Sequence, residues 1–300
     1  MKTQYEVIII GGSYAGLSAA MALGRSLRNV LVIDSGKPCN RQTPHSHNFL
    51  TQDGKAPAEI ASIAKTQVAR YQTVDFFYGL AISGTRTAAG FTIKVDSGET
   101  FSAPKLVFAT GIKDIMPNIK GFAECWGISV VHCPYCHGYE IKGQTTGILA
   151  NGDTAKHLAP LVGNLTDKLT IYTNGKPEFS MEDLEQLEKH NIDINAKVVR
   201  AVEHQNGRMN KLIFKDGSSA ELDALYARLP FAQHSAIPEE LGCEINDQGY
   251  IAVNAFQQTN IDGIYACGDS ASPLRAVANA VYSGNLVGAM VNRELCEAAF

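Results

Sequence analysis

The stretch Gly11-Gly12-Ser13-Tyr14-Ala15-Gly16 follows an apolar run over residues 5–10 and leads into residues 15–27, whose apolar side chains recur with helical spacing. A second apolar run over residues 29–34 predicts the next strand. A strand, a glycine turn, a helix and a second strand within about thirty residues form a βαβ unit. This unit predicts a parallel sheet and an α/β fold.

The first glycine loop has the pattern of a dinucleotide-binding turn. Gly11 permits the tight turn, Gly16 allows close packing of helix on strand, and the helix N-terminus offers N–H groups to a pyrophosphate. Asp34 closes the second strand, where a carboxylate can accept hydrogen bonds from ribose hydroxyls. Ser13 stands where the pattern has its second glycine, and a purely structural turn is the alternative. Asp34 stands where this pattern has its acidic residue, which favours dinucleotide binding over a purely structural turn.

The rest of the chain continues this alternation of strands and helices. In the first half the pattern predicts a helix over residues 58–71, a strand over 74–78 and a hairpin made by 91–95 and 100–109. In the second half it predicts a βαβ unit over 146–149, 153–162 and 168–173, a helix capped by Ser180 and Asp183 that runs to His190, a hairpin of 198–204 with 211–215 across Gln205-Asn206-Gly207, a strand over 263–267 and a helix over 274–299. Two such βαβ units predict two folds, each of a size that can bind one nucleotide.

The chain has 300 residues, of which 45% are hydrophobic and 19% charged, a composition typical of one large or two medium globular domains. No apolar run approaches the ~20 residues that a membrane span needs, so we expect no membrane partner. The formal charge of −4 gives no reason to expect nucleic acid as a partner. Seven scattered cysteines and the lack of a signal-peptide pattern near the N-terminus predict a cytoplasmic protein.

The stretch Cys133-Pro134-Tyr135-Cys136-His137-Gly138 contains the only closely spaced cysteine pair. A two-residue spacer lets the two sulfurs meet in a disulfide, and a helix beginning there lowers the pKa of its N-terminal thiol. Zinc would need a second ligand pair, and beyond the nearby Cys125 and His132 there is no second C-x-x-C, so we predict no metal. Two unpaired buried cysteines, and a purely structural His137, are the alternatives to a redox pair with an acid/base.

The glycine loop, the cysteine pair and Tyr265-Ala266-Cys267-Gly268-Asp269 together resemble the low-molecular-weight thioredoxin reductases, FAD-dependent members of the pyridine nucleotide-disulfide oxidoreductase family. Ala109-Thr110-Gly111 is similar to the connecting motif of that family. The resemblance implies two Rossmann-like, three-layer ββα domains, the second inserted in the first. It implies a discontinuous FAD-binding domain over residues 1–116 and 246–300, an inserted pyridine-nucleotide-binding-like domain over 117–245 that carries the cysteine pair, and a homodimer.

The resemblance also implies roles for individual residues. Cys136 would lie against the flavin and exchange electrons with it, Cys133 would attack a disulfide substrate, and His137 would serve as acid/base. Contacts with FAD are expected from Gly11, Gly12, Ser13, Ala15, Gly16, Asp34, Asn40, Arg41, His47, Ala109, Thr110, Gly111, Gly268, Asp269, Arg275, Ala276 and Val277.

The second glycine loop departs from the family pattern. It reads Ala150-Asn151-Gly152-Asp153-Thr154-Ala155, with alanine where the first glycine belongs. The strand after it ends without the arginines that hold a 2′-phosphate in NADPH-dependent members, and only Lys176 is near. A phosphate without a bidentate guanidinium loses its most directional contact. NADPH, NADH and no pyridine nucleotide all remain open.

The run Cys-x-x-Cys-His-Gly-Tyr-Glu is similar to that of the dithiol oxidases of the gliotoxin and holomycin type, which close disulfides in small dithiol metabolites and pass electrons through FAD to oxygen. The expected function is therefore FAD-dependent exchange between flavin and a small-molecule or protein disulfide or dithiol. Its direction stays open between a reductase fed by NAD(P)H and an oxygen-dependent oxidase. A non-enzymatic flavin redox sensor is a second hypothesis. An ordinary NAD-dependent dehydrogenase would leave the cysteine pair unexplained.

Overall fold

The structure is a computed structural model that describes residues 2–300. The first part of the chain contains β1 (Val7–Ile10), α1 (Tyr14–Arg25), β2 (Val30–Asp34), α2 (Pro57–Val68), β3 (Val74–Tyr78), β4 (Ala81–Thr87), β5 (Gly90–Val95), β6 (Thr100–Ala103), β7 (Lys105–Phe108) and β8 (Ile112–Asp114). The middle part contains α3 (Phe122–Cys125), β9 (Val130–Val131), α4 (Pro134–His137), β10 (Thr146–Leu149), α5 (Gly152–Gly163), β11 (Leu169–Tyr172), α6 (Met181–Lys189), β12 (Asp193–Asn195), β13 (Val199–Gln205), β14 (Arg208–Phe214), β15 (Ser219–Glu221) and β16 (Ala224–Ala227). The last part contains β17 (Phe231–Gln233), α7 (Ile237–Glu240), β18 (Ile264–Ala266) and α8 (Val277–Ala299).

The first of two structural units consists of the described residues up to Arg41, Asn48–Lys113 and Phe231–Phe300. Its centre is a parallel sheet in the order β18-β7-β1-β2-β3. Along β1 the side chains alternate between two cores. Val7 and Ile9 face α1, α2 and α8, while Ile8 and Ile10 face the antiparallel sheet β4-β5-β6. Both faces of the central sheet are covered, which explains why every residue of β1 is buried and apolar.

The second unit consists of Gln42–His47 and Asp114–Pro230 and has the same three layers. Its parallel sheet has the order β12-β11-β10-β16-β9. One face packs against α5 and α6, and the other packs against α3 and the antiparallel sheet β13-β14-β15. The predicted fold class, two Rossmann-like ββα units, is confirmed. Among residues 2–300, no helix combines the length and apolar character required to cross a membrane.

Two local predictions are confirmed at the level of hydrogen bonds. Ser180 and Asp183 form a reciprocal capping box at the start of α6. The β13–β14 hairpin turns at Asn206 and Gly207, both with positive φ, as a tight hairpin turn requires. Both features depend only on residues within a few positions of one another.

One local prediction is wrong. Residues 100–109 do not form a single hairpin strand, because only β6 pairs with β5, while β7 joins the central parallel sheet. Pro104 stands between β6 and β7 and has no N–H to continue the ladder. The chain therefore changes sheets at this proline.

The limits of the units differ from the predicted domain limits. The sequence places residues 231–245 in the inserted domain, but they belong to the first unit. Ile237 and Cys243 are buried there with Phe91, and a Cβ on Gly84 would lie 2.7 Å from Ile237 Cγ2. The change of unit therefore occurs after Pro230. No shift in composition marks this point, since the boundary follows from packing between distant residues.

Candidate redox and flavin sites

The first glycine loop is closely packed against the end of β7. A Cβ on Gly11, whose φ is +108°, would lie 2.2 Å from the carbonyl oxygen of Ala109. A Cβ on Gly16 would lie 1.8 Å from the carbonyl oxygen of Gly11. Neither backbone oxygen can move aside cheaply, so neither position tolerates a side chain. The predicted tight turn and close helix–strand packing are both present.

The N-terminus of α1 is open to an anionic ligand. Ser13 is the N-cap residue, but its side chain makes no capping hydrogen bond, and no acidic residue lies in the first turn. Asp34 ends β2 beside this loop, because a Cβ on Gly12 would lie 2.8 Å from Asp34 Cβ. The loop therefore combines a helix N-terminus without a side-chain cap, the positive end of the helix dipole and an adjacent carboxylate, which are the features a dinucleotide needs.

The connecting motif adds an unsatisfied polar atom next to this loop. Thr110 follows Ala109, which touches Gly11, and its hydroxyl oxygen is buried without a hydrogen-bond partner among residues 2–300. A buried hydroxyl without a partner is costly unless a ligand or water satisfies it. The side-chain-free cradle and the Thr110 hydroxyl together fit a bound dinucleotide.

The C-terminal motif gathers further predicted residues in the first unit. The N–H of Gly268 donates to Ser283 Oγ at 3.0 Å, which ties the motif to α8. The Asp269 carboxylate lies 3.9 Å from Arg275 Nε and also meets the Cys39 thiol. Ala276 and Val277 are the N-cap and first residue of α8.

In the loop after Asp34, Asn40 Nδ2 donates to the Tyr14 hydroxyl and Arg41 Nη1 donates to the Pro38 carbonyl.

The cysteine pair forms a disulfide at the second site. Cys133 and Cys136 are bonded, with their Cα atoms 5.3 Å apart. Pro134 begins α4, and the N–H groups of Cys136 and His137 both donate to the Cys133 carbonyl. The helix α4 is a single turn of four residues, and in the disulfide neither cysteine has a thiol that could titrate. Tyr135 is 71% exposed, so this turn lies at the protein surface.

His137 follows the disulfide and is half-buried. Burial lowers its pKa below the ordinary histidine value, a positive charge on His47 lowers it further, and Glu140 opposes both effects. His47 Nδ1 lies 3.5 Å from Glu140 Oε1. The sequence predicted that His47 contacts FAD, and the structure assigns it to the second unit with Glu140. Sequence reasoning missed Glu140, although its position three residues after His137 is visible in the motif.

The second glycine loop is closed by its own residues. Asn151 Oδ1 accepts from the N–H groups of Gly152 and Glu178 at 3.0 and 2.9 Å, and Asn151 Nδ2 donates to the Lys176 carbonyl at 2.8 Å. Asp153 adds a carboxylate to the first turn of α5. An anion at the N-terminus of α5 would have to compete with the Asn151 cap and would be repelled by the Asp153 carboxylate.

The residues after β11 are also engaged internally. The Thr173 hydroxyl donates to the Gly175 carbonyl at 2.6 Å, and Asn174 Oδ1 accepts from the N–H of Val199 at 2.8 Å. No arginine occupies this stretch. The residues present here do not fit a pyridine nucleotide with a 2′-phosphate.

The whole chain is similar to known redox enzymes. The family model described as pyridine nucleotide-disulphide oxidoreductase matches residues 5–284. Thioredoxin reductase tcpT of Claviceps purpurea is 34% identical over 301 residues, which cover 97% of this chain and 94% of that protein.

Two solved structures have the same fold over nearly their full length. The oxidoreductase from Agrobacterium tumefaciens is 37% identical with a TM-score of 0.91, covering 98% of this chain and 99% of that one. The putative thioredoxin reductase TrxB from Bacillus anthracis is 28% identical with a TM-score of 0.93, covering 99% and 100%. The chain therefore belongs to the pyridine nucleotide-disulphide oxidoreductase family and is an FAD-dependent disulfide oxidoreductase of the thioredoxin reductase type.

Proposed function

We propose that this enzyme oxidises dithiols, taking two electrons from a dithiol substrate and delivering them to dioxygen. The observation that carries the proposal is the closed second glycine loop. Asn151 caps α5 with its own carboxamide and ties Lys176 and Glu178 across the loop. A reductase needs a reduced nucleotide at this place, whereas an oxidase needs only the cysteine pair, FAD and oxygen.

The exchange chemistry uses the disulfide as it stands. A thiolate of the substrate attacks Cys133 Sγ, the Cys133–Cys136 bond breaks, and Cys136 leaves as a thiolate. The second substrate thiolate then attacks the substrate sulfur of the mixed disulfide, which releases Cys133 as a thiolate and the substrate as a disulfide. His137, kept neutral by burial, accepts the proton of the first attacking thiol.

Re-formation of the Cys133–Cys136 bond returns two electrons, and dioxygen takes these with two protons to become hydrogen peroxide. When bound, FAD supplies the two-electron carrier between the cysteine pair and dioxygen. Cys136 is proposed as the sulfur that meets the flavin, and Cys133 as the sulfur that meets the substrate.

Apart from His47, the residues proposed to hold FAD lie in the first unit. The open end of α1 with Gly11, Gly12, Ser13, Ala15 and Gly16 would receive the pyrophosphate, and Asp34 the ribose. The remaining proposed contacts are Asn40, Arg41, His47, Ala109, Thr110, Gly111, Gly268, Asp269, Arg275, Ala276 and Val277. On this assignment the first unit is the FAD domain, and the second is a nucleotide-domain relative that now carries the redox disulfide. We also propose, from the family, a homodimer in the cytoplasm.

An anaerobic mixing experiment tests the direction of electron flow. The purified yellow holoenzyme is mixed in turn with NADPH, NADH and dithiothreitol while flavin absorbance is followed. We expect bleaching by dithiothreitol alone, with colour restored by air and hydrogen peroxide formed in proportion to the thiols consumed.

Each other outcome contradicts a different part of the proposal. Bleaching by NADPH or NADH would assign a reductase. Bleaching by dithiothreitol without repeated turnover in air would favour a redox sensor. A colourless protein that takes up no FAD on reconstitution would overturn the flavin assignment.

A further inference from the structure

The short segment of residues 42–47, here called the strap, leaves the first unit after Arg41 and packs within the second unit. A Cβ on Gly127 would lie 2.8 Å from Thr43 Oγ1, so the strap runs directly over the backbone at that glycine. Ser46 is buried. A segment from the loop after β2 is thereby held on the unit that carries the disulfide.

The strap delivers one histidine to a carboxylate next to the disulfide. His47 Nδ1 lies 3.5 Å from Glu140 Oε1, and the two side chains are 19% and 39% exposed. Glu140 follows His137 by three residues, in the turn that begins where α4 ends. The His47–Glu140 pair is thus partly shielded from water, where charges act more strongly than at an open surface.

We propose that His47 and Glu140, here called the charge pair, are positioning residues for the thiol–disulfide exchange. Protonated His47 favours the neutral form of His137 that can take a thiol proton, and the Glu140 carboxylate favours the protonated form that results. This inference rests on the proposed function for its chemical role. In the step itself, the substrate S–H bond breaks and its proton passes to His137. The substrate sulfur then bonds to Cys133, and Cys136 leaves with the electron pair of the broken disulfide.

The two members of the pair act in opposite directions on His137. A positive charge on His47 lowers the pKa of His137 in addition to burial, and the Glu140 carboxylate raises it. The groups that face this part of the turn are His47 from the strap, Glu140 and the two cysteines from the turn itself, and, on β16, the buried Tyr226, whose pKa Glu140 helps to raise. Glu140 can therefore stabilise the proton on His137 after transfer, while His47 keeps that proton from binding beforehand.

The matched control is His45, an exposed histidine of the same strap. Its ring centroid lies 6.4 Å from that of His47. His45→Gln removes a strap histidine that is not a member of the His47–Glu140 pair. His47→Lys retains a positive charge at the position and serves as the conservative variant.

The test is an NMR titration of the His137 ring in the resting, oxidised holoenzyme, followed by the pH profile of flavin bleaching by dithiothreitol. In His47→Gln we expect the His137 midpoint to rise by on the order of half a pH unit. On the acidic side of the pH profile, the rise in bleaching rate should shift to higher pH by a similar amount, and the rate above about pH 8 should change little. His47→Lys should restore the midpoint, and His45→Gln should leave it unchanged.

An unchanged His137 midpoint in His47→Gln would overturn the proposal, as would a rate loss of equal size at every pH. A shifted midpoint in an enzyme that NADPH reduces would retain the charge pair and refute only the direction of electron flow. If His47→Gln loses its flavin, Glu140→Gln supplies the second variant. It removes the carboxylate, so a His137 midpoint equal to the parent's would then refute the coupling.

Discussion

The two units of this enzyme repeat the same three layers, yet their glycine loops meet the following helix differently. At the first loop, the side chain of the N-cap residue Ser13 makes no capping hydrogen bond. At the second, the side chain of Asn151 caps the helix N-terminus and also accepts a hydrogen bond from the N–H of Glu178 in a neighbouring segment. The Rossmann architecture alone therefore does not make an anion site. The helix N–H groups must also be left unsatisfied by the protein.

The two loops also differ in how closely the backbone packs. A Cβ on Gly16 would overlap a carbonyl oxygen, whereas a Cβ on Gly152 would meet nothing closer than 3.5 Å. The first loop is built to bring backbone against backbone beside a ligand. In the second unit the chemistry lies instead on the turn of Cys133 and Cys136.

We expect the largest change in dithiol turnover from a substitution that removes the disulfide of the second unit. Cys136→Ser should lower dithiol turnover by about a thousandfold or more, because no sulfur remains to re-form the bond. The flavin spectrum and FAD content should stay as in the parent. Cys296→Ser, at an exposed free cysteine on α8, is the matched control and should retain turnover. Normal turnover in Cys136→Ser would refute its assigned role.

The next effect concerns the first loop. Gly16→Ala should destabilise the protein by roughly 2–3 kcal/mol or prevent FAD uptake, because its Cβ would collide with the Gly11 carbonyl oxygen. Thermal unfolding and the flavin-to-protein ratio measure both effects. Gly163→Ala, at the end of α5, is the control, since its Cβ would have neighbours only at 3.9–4.0 Å. We expect a change within about 1 kcal/mol there, and equal losses in the two variants would contradict the packing argument.

A smaller effect concerns the closed loop. Asn151→Ala removes the cap of α5 and its bonds to the 176–178 segment, which should cost about 1 kcal/mol of unfolding free energy. Dithiol turnover should be unchanged, because Asn151 lies outside the proposed machinery. NADPH should still fail to bleach the flavin, since no arginine is present to hold its phosphate. Bleaching by NADPH in this variant would show that Asn151 alone excludes the nucleotide.

The smallest effect concerns the half-buried carboxylate of Glu294 and the stability of the protein in acid. Glu294 on α8 bonds Lys105, Tyr265 and Gln258, and its pKa is lowered because these bonds outweigh the opposing effect of burial. A lowered folded-state pKa gives stability that is present above the ordinary value and lost as pH falls through the lowered one. Glu294→Gln should cost about 1 kcal/mol at neutral pH and flatten this acid limb.

Denaturation at several pH values measures the effect of Glu294. Glu297→Gln on the same helix removes only an exposed pair with Arg293 and should leave the acid limb in place. An identical limb in the parent and in Glu294→Gln would refute the assignment.

Features whose partners lie close together along the chain could be predicted from the amino-acid sequence. These include the first βαβ unit around Gly11–Gly16, the capping box of Ser180 and Asp183, the Asn206-Gly207 hairpin, and a cysteine spacing that permits a disulfide. Backbone conformation at such places is set by a few neighbouring residues, so a single sequence is enough to predict them.

Contacts between distant segments could not be predicted from the sequence and were found in the folded structure. That structure moved β7 from a hairpin into the central sheet, placed residues 231–245 in the first unit, closed the second loop with Asn151, and brought His47 to Glu140. Each of these contacts joins residues that are far apart in the chain. Their pairing depends on which apolar faces are buried together, and that choice is made by the whole core rather than by any local pattern.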